Sequence, residues 1–120
     1  AVIAMVETRQ AVDNIDEILA VEGLDGVFVG PYDMSGSYGV TGQTSHPLVR
    51  DACSRVVEAC RQHQKAAGIH LVNPSGETVS QAVSDGFTFL AIGMDTVFLK
   101  QAASTARQFA YKEHRPDEMG

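Results

Sequence analysis

Two carboxylates each follow an apolar run at the point where a buried strand would end. Glu7 comes directly after Ala-Val-Ile-Ala-Met-Val, and Asp33 lies three residues after Gly-Val-Phe-Val-Gly. At the same end of adjacent parallel strands, about 5 Å apart, two carboxylates can share a hard divalent cation. Neither is flanked by His or Cys, which favours Mg²⁺ or Mn²⁺ over a structural zinc. Taken alone, each carboxylate has an equally good structural explanation. Glu7 can stabilise the N-terminus of the helix that follows it, and Asp33 can be a turn or cap residue.

The four residues that end in Asp33 have a second use as an anion-binding turn. Gly30 permits close approach to the backbone, whereas Pro31 has no N–H group to offer. The N–H groups of Tyr32 and Asp33 could point at the anion. An ordinary turn between a strand and a helix is the alternative explanation of these residues.

Histidine offers no clear catalyst in this chain. His70 lies inside an apolar run, where a histidine that serves the interior of a barrel is more common than a catalytic one. The other three histidines have the pattern of solvated or helix-capping residues: His46, His63 and His114. We therefore predict no catalytic residue among the four.

Four strands that alternate with helices are predicted from the hydrophobic periodicity. The strands are expected at residues 1–6, 26–30, 67–72 and 87–92, and the helices at 8–21, 48–64, 76–84 and 96–111. Thr8 or Asp13 is expected to cap the first helix, and a polar loop is expected from Pro31 to His46. The last helix is expected to turn an apolar face inward: Val97, Phe98, Ala102, Ala103, Ala106 and Phe109.

The predicted fold class is α/β with parallel β/α units. Strands that are apolar throughout are typical of a parallel sheet covered on both faces or closed into a barrel. Polar residues cluster after each strand, at the edge where parallel α/β folds carry their chemistry. Four units are half of an eight-unit barrel and would leave two open edges. We therefore predict half of a TIM barrel, with a complete four-stranded open sheet as the alternative.

Composition excludes several classes of function. The 120 residues carry a net charge of −6 with nine scattered Lys and Arg, which argues against nucleic acid as a partner. No apolar run approaches the roughly 20 residues of a membrane span, and no basic segment precedes the first strand as in a signal peptide. Because Ala1 is not an initiator methionine, we expect a fragment or a processed piece. Cys53 and Cys60, about 10 Å apart on one helix face, are too distant for a disulfide and predict two free, buried thiols in the cytosol.

Four segments together resemble the HpcH/HpaI aldolase family. They are Glu7-Thr8 after an apolar strand, residues 21–35, His46-Pro47 and residues 91–96, which span roughly residues 1–103 in order. The resemblance implies a class II, metal-dependent aldolase on a TIM barrel of the phosphoenolpyruvate/pyruvate superfamily. Such enzymes cleave 4-hydroxy-2-oxo acids to pyruvate and an aldehyde, or form them. By this resemblance residues 1–111 are strands five to eight of the barrel with their helices, and residues 112–120 are a polar tail.

The resemblance also implies roles for particular residues. Glu7 and Asp33 match the metal ligands, for Mg²⁺ or Mn²⁺ with Co²⁺ as a further option, and residues 30–33 match the turn that holds the carboxylate of pyruvate or a related 2-oxo acid. The family's general-base histidine and substrate-binding arginine belong to the absent first half, so this chain alone is expected to be inactive. Met5 stands where many members carry Gln, and Tyr32 where smaller residues are common, so substrate preference is expected to differ.

Assembly and alternative functions follow from the same resemblance. A cytoplasmic homo-oligomer, a trimer or hexamer, is expected, in which the last helix docks on a neighbouring subunit. One alternative is a non-catalytic truncated paralogue or assembly subunit that supplies only a metal- and anion-binding rim. The other is a citrate-forming or acyl-CoA-cleaving member of the same superfamily.

Overall fold

Four parallel β-strands form a single sheet in the computed structural model, which describes residues 1–114. The strands are β1 (Ile3–Val6), β2 (Gly26–Val29), β3 (Ala66–Leu71) and β4 (Phe89–Ile92). They lie side by side in the order of the sequence, and each neighbouring pair is parallel. The predicted α/β class with four parallel strands is therefore confirmed.

Six helices connect or follow these strands. They are α1 (Arg9–Asp13), α2 (Ile15–Leu19), α3 (Pro31–Ser37), α4 (Pro47–Gln62), α5 (Gly76–Ser84) and α6 (Asp95–His114). The helix predicted at residues 8–21 is divided, because Asn14 ends α1 and begins α2. Of the two proposed caps, Thr8 is the one used, and its Oγ1 accepts a hydrogen bond from the N–H of Ala11 at 3.1 Å. No helix within residues 1–114 has the length and hydropathy needed to cross a bilayer.

The loop predicted from Pro31 to His46 is wrong in its first half. Residues Pro31–Ser37 form α3, which Gly30 precedes as the N-cap. Proline at the first helical position is favourable because its fixed φ suits the helix and its missing N–H would have no partner there. Helix α3 was not predicted because it contains Gly36 and two serines, which have low helix propensity.

The helices cover one face of the sheet, where the hydrophobic core lies. From the strands, every second side chain enters the core, including Val6, Val27, Val29 and Ala67, and these pack against the apolar faces of the helices. The helices contribute the remaining large buried side chains, among them Val12, Ile15, Leu19, Met34, Val49 and Val56. Within residues 1–114 no helix covers the other face, so a sheet covered on both faces, one of the two predicted arrangements, is not observed in this part of the chain.

The opposite face of the sheet is open. Met5 is 55% exposed and Phe89 is 44% exposed, although both lie within strands. The rings of Phe28 and Phe89 meet edge to face, with centroids 5.5 Å apart, above Gly68. A Cβ atom at Gly68 would overlap both rings, so this glycine makes room for the aromatic pair. An open face with a layer of large apolar side chains is what the interior of half a barrel presents.

Helix α6 does not turn its apolar residues inward, and this prediction is wrong. Val97 is half-buried, but every residue from 98 to 111 is exposed, including the predicted inward positions Phe98 and Phe109. The helix leaves the edge of the sheet after Gly93, which has a φ of 76°, and the described residues measure 64 Å in their longest dimension. The helix continues to His114, past the predicted start of the tail at 112, and residues 115–120 lie outside the described part.

Both cysteines lie on the side of α4 that faces the core. Cys53 is half-buried, Cys60 is buried, and both are free thiols. Burial raises the pKa of each thiol from 9.0 to about 11, and the nearby carboxylate of Asp85 adds to the rise at Cys53. The expected pair of free thiols in a protected environment is therefore observed.

Because their pKa values are raised, both thiols should react slowly with a disulfide reagent in the native protein. At pH 8 a thiol of pKa about 11 carries about 100-fold less thiolate than one of pKa 9, and the thiolate is the reactive form. We expect labelling of the native protein to be slower than that of urea-unfolded protein by about this factor and to accelerate about tenfold per pH unit. Equal rates in the native and unfolded protein would show that α4 does not protect them.

Candidate functional site

A row of residues that crosses all four strands marks the edge where the strands end. The register pairs Val6 with Val29, Val29 with Ile69, and His70 with Ala91. One position further along, the row therefore consists of Glu7, Gly30, His70 and Ala91. Because side chains alternate between the faces of a sheet, this row lies on the open face, opposite the buried row that contains Val6.

The side chain of Glu7 bends along this row over Gly30, at the end of β2. Its position is defined by Gly30, because a Cβ atom at Gly30 would lie 2.8 Å from Oε1 and 2.9 Å from Cγ of Glu7. A real Cβ atom essentially never makes contacts this short, so the Glu7 carboxylate occupies the space that a side chain at position 30 would need. The half-buried Glu7 carboxylate thus lies directly over Gly30, the residue that precedes α3.

The first turn of α3 brings the remaining predicted residues to the same corner. The N–H of Met34 bonds to the carbonyl of Gly30 at 2.9 Å, which closes the first turn. Pro31 has no N–H, and those of Tyr32 and Asp33 are too near the start of the helix to have a partner within it. Asp33 is exposed in this turn. The five predicted site residues therefore lie on two adjacent βα connections, with Glu7 on one and residues 30–33 on the other.

Hydrogen bonds from two serines fix α3 in place. Ser35 is fully buried. Its Oγ donates a hydrogen bond to the carbonyl oxygen of Tyr32 at 2.5 Å and accepts one from the N–H of Gly42 at 2.8 Å. The Oγ of Ser37 accepts from the N–H of Arg9 at 2.9 Å, which joins the end of α3 to the start of α1. These bonds hold the turn that carries Asp33 against the connection that carries Glu7.

His70 is the one residue of this row with a functional side chain that the sequence did not assign to the site. It is half-buried, and its Nε2 lies 2.9 Å from the carbonyl oxygen of Gly93 in the turn before α6. The strand register was the missing signal, because only the pairing of β2 with β3 places His70 beside Gly30.

Glu7 and Asp33 are suitable ligands for a hard divalent cation. Both offer carboxylate oxygens, and among residues 1–114 no cluster of three or more His, Cys, Asp or Glu offers an alternative centre. Mg²⁺ is commonly held by one or two carboxylates, while water and substrate fill its other positions. The space over Gly30, which a Cβ atom would fill, keeps the Glu7 carboxylate at the open edge. The donor set therefore fits a cation that keeps positions free for a substrate.

Comparison with known proteins gives a consistent result for most of the chain. The family model for HpcH/HpaI aldolase/citrate lyase matches residues 1–102. A 4-hydroxy-2-oxo-heptane-1,7-dioate aldolase of Escherichia coli is 39% identical over 102 residues, which are 85% of this chain and 38% of that protein. A 2-keto-3-deoxy-L-rhamnonate aldolase of Escherichia coli O1:K1 / APEC is 40% identical over 100 residues, 83% of this chain and 37% of that protein.

Solved structures show the same relation in three dimensions. A HpcH/HpaI aldolase/citrate lyase family protein from Burkholderia cenocepacia J2315 superimposes with a TM-score of 0.85 at 33% identity. The match covers 92% of this chain and 42% of that protein. The chain therefore spans about two fifths of the length of the relatives it matches, and its four-stranded sheet corresponds to part of their TIM-barrel-like fold.

The contact between Gly30 and Glu7 gives a direct test of the candidate metal site. Gly30→Ala should displace the Glu7 carboxylate and weaken Mn²⁺ binding by about tenfold or more, the usual effect of disturbing a residue that supports a ligand. Gly36→Ala is the matched control within α3, because its Cβ would lie 3.8 Å from the nearest atom, Oγ1 of Thr41. Titration of the complete protein with Mn²⁺ measures both affinities, and equal affinities would show that Glu7 is not a ligand.

Proposed function

The chain belongs to the HpcH/HpaI aldolase/citrate lyase family, and we propose that it is the carboxyl-terminal half of a class II, metal-dependent aldolase. The reaction is the cleavage or formation of 4-hydroxy-2-oxo acids, with pyruvate and an aldehyde as the other side of the equilibrium. The observation that carries the proposal is the Glu7 carboxylate held over Gly30, at the start of the turn that contains Asp33. The aldolase names of the relatives agree with it.

In this proposal the two carboxylates hold the cation and the α3 turn holds the substrate. A divalent cation, Mg²⁺ or Mn²⁺ with Co²⁺ as a further option, supplies Lewis-acid stabilisation of the negative charge that develops on a 2-oxo group as the C3–C4 bond breaks. Glu7 and Asp33 bind that cation at the open edge of the sheet. The N–H groups of Tyr32 and Asp33 donate hydrogen bonds to the carboxylate of pyruvate or of the 2-oxo acid.

Removal of the proton from the 4-hydroxyl group requires a base placed near that oxygen. We assign no such base to this chain, and we propose that it comes from the part of the barrel that the chain does not span. The 38% coverage of the heptanedioate aldolase supports this division of the site. The isolated chain would accordingly bind the cation and show no turnover.

We propose that the complete protein is a cytoplasmic homo-oligomer, a trimer or hexamer, and the exposure of helix α6 supports the association of subunits. Leu99 is 72% exposed and Phe109 is 63% exposed, which is unfavourable for large apolar side chains in water. We propose that α6 docks on a neighbouring subunit, where these side chains become buried. Sedimentation of the complete protein as a single monomeric species would contradict this arrangement.

The family's name also includes citrate lyase, so a citrate-forming or acyl-CoA-cleaving enzyme is the second candidate function. Such an enzyme would use the same cation and the same carboxylate-binding turn with a different partner. Release of pyruvate from a 4-hydroxy-2-oxo acid distinguishes the two candidates, because a citrate-forming or acyl-CoA-cleaving enzyme acts on a different substrate.

Conservative changes of the two ligands test the proposed aldolase. In the complete protein, Glu7→Gln and Asp33→Asn each remove a charge and keep the side-chain volume. Each should weaken cation binding by more than about 100-fold and abolish most pyruvate release, since even residues that merely support a ligand contribute 10–100-fold. EDTA should have the same effect on the unmodified protein. Glu22→Gln and Asp51→Asn are the matched controls, because both residues are exposed and lie outside the site.

Two results would contradict the proposal. One is undiminished pyruvate release in EDTA, which would exclude a required cation. The other is full activity of Glu7→Gln with unchanged circular dichroism, which would show that the carboxylate is dispensable. A complete, folded, metal-loaded protein that releases pyruvate from no 4-hydroxy-2-oxo acid would favour the non-catalytic alternative or the citrate-forming or acyl-CoA-cleaving one.

A further inference from the structure

His70 occupies a defined place beside the proposed substrate site. It lies in the same cross-strand row as Glu7, separated from it by Gly30, and on the same open face of the sheet. Two strand spacings of about 5 Å separate Glu7 from His70 along this row, and the Glu7 side chain covers part of that distance. The open face between Glu7 and His70 is therefore one direction in which a substrate held at the α3 turn can extend.

The neighbours of His70 on the open face are small residues. Gly30 and Ala91 are its neighbours in the row, and Gly68 lies two residues before it on the same face. Below this level the face is apolar, because Met5, Phe28 and Phe89 form the next row with Gly68. His70 thus lies above an apolar floor, with the Glu7 carboxylate over its neighbour Gly30 and the rings of Phe28 and Phe89 over Gly68.

The hydrogen bond to Gly93 determines which ring nitrogen of His70 is available. A carbonyl oxygen only accepts, so the Nε2 that lies 2.9 Å from it carries the hydrogen. In the neutral ring, Nδ1 then has a free lone pair and can only accept a hydrogen bond. This bond to Gly93 is the one hydrogen bond that residues 1–114 provide for the His70 side chain.

The charge of the open face favours an uncharged donor as the group that meets Nδ1. Within the described strands and the residue that follows each, this face carries no Lys or Arg: its members are Ile3, Met5, Glu7, Gly26, Phe28, Gly30, Ala66, Gly68, His70, Val72, Phe89, Ala91 and Gly93. This half of the site therefore offers no positive side chain for a second carboxylate. A hydroxyl group matches an acceptor nitrogen better than a carboxylate or an alkyl group does.

We propose that His70 is a specificity-determining residue, whose Nδ1 accepts a hydrogen bond from a hydroxyl group on the aldehyde part of the substrate. The preferred aldehydes are then hydroxyaldehydes, with the hydroxyl on the carbon next to the aldehyde carbon. This inference rests on the proposed aldolase function and extends it to the second substrate. Gly93 acts through His70, by holding the ring in the tautomer that accepts.

Glycolaldehyde and propanal are suitable probes because they have the same number of heavy atoms and differ in one hydroxyl group. The complete metal-loaded protein is assayed for addition of pyruvate to each aldehyde. The ratio of the two kcat/KM values measures recognition of the hydroxyl group, and activity common to both aldehydes cancels in it. We expect the unmodified protein to prefer glycolaldehyde.

Two substitutions separate recognition from simple positioning. His70→Gln places its amide nitrogen near the former Nε2, so it can still donate to Gly93 but has no acceptor at the position of Nδ1. His70→Asn has an oxygen near the position of Nδ1 and cannot reach Gly93. We expect His70→Gln to lower the glycolaldehyde-to-propanal ratio about tenfold, the effect of one neutral hydrogen bond, with little change for propanal. We expect the glycolaldehyde-to-propanal ratio to fall less in His70→Asn than in His70→Gln, even if the activity with both aldehydes falls.

The results distinguish this inference from the proposed function. Addition to both aldehydes that EDTA abolishes, with the same ratio in the unmodified protein and His70→Gln, would overturn the role of His70 and leave the aldolase intact. Addition to neither aldehyde would overturn both. Nitrogen-15 NMR of the histidine ring gives a readout independent of turnover: we expect a protonated Nε2 and an unprotonated Nδ1, and the opposite tautomer would contradict the inference.

Discussion

The parallel register of the four strands is the constraint on which both the core and the candidate site depend. Val29 pairs with Val6 on one side and Ile69 on the other, so these branched side chains enter the core together. The next residue of each strand points to the opposite face, which places Glu7 beside Gly30. A slip of one residue would expose the valines and bury the carboxylate in the core. Burial of the apolar row therefore also fixes the position of the site.

The two faces of the sheet differ in what they have to contact. The covered face is closed by α1 to α5 and holds the whole hydrophobic core of the described residues. The open face presents Met5, Phe28 and Phe89 to solvent, and α6 extends from the edge with its apolar side chains exposed. The relatives, of which this chain spans about two fifths, have additional chain to cover such surfaces. We accordingly place the chemistry on the open face, at the edge where the strands end.

The elements that the sequence predicted well are those whose signal is local. The four strands are short apolar runs between polar turns. Helix α5 has both its predicted bounds, because Ser75 caps its start and Gly86, with a φ of 95°, follows its end. Helix α3 was missed because glycine and serine dominate its second half. The buried Ser35 contributes to holding it, through hydrogen bonds that the sequence does not show. The apolar residues of α6 predicted a helix, but periodicity does not show whether the same chain provides the surface that covers them. His70 was left out because its neighbours depend on pairing between strands that are distant in sequence.

The most direct test of the account is whether a 2-oxo acid and the protein share one cation at this edge. Electron paramagnetic resonance of Mn²⁺ bound to the complete protein, with pyruvate labelled by oxygen-17 at its ketone and carboxylate, detects direct coordination as broadening of the manganese lines. The account predicts broadening in the unmodified protein and its loss in Glu7→Gln. Lines that are equally sharp with labelled and unlabelled pyruvate, at saturating pyruvate, would contradict the claim that Glu7 and Asp33 hold a cation for a 2-oxo acid.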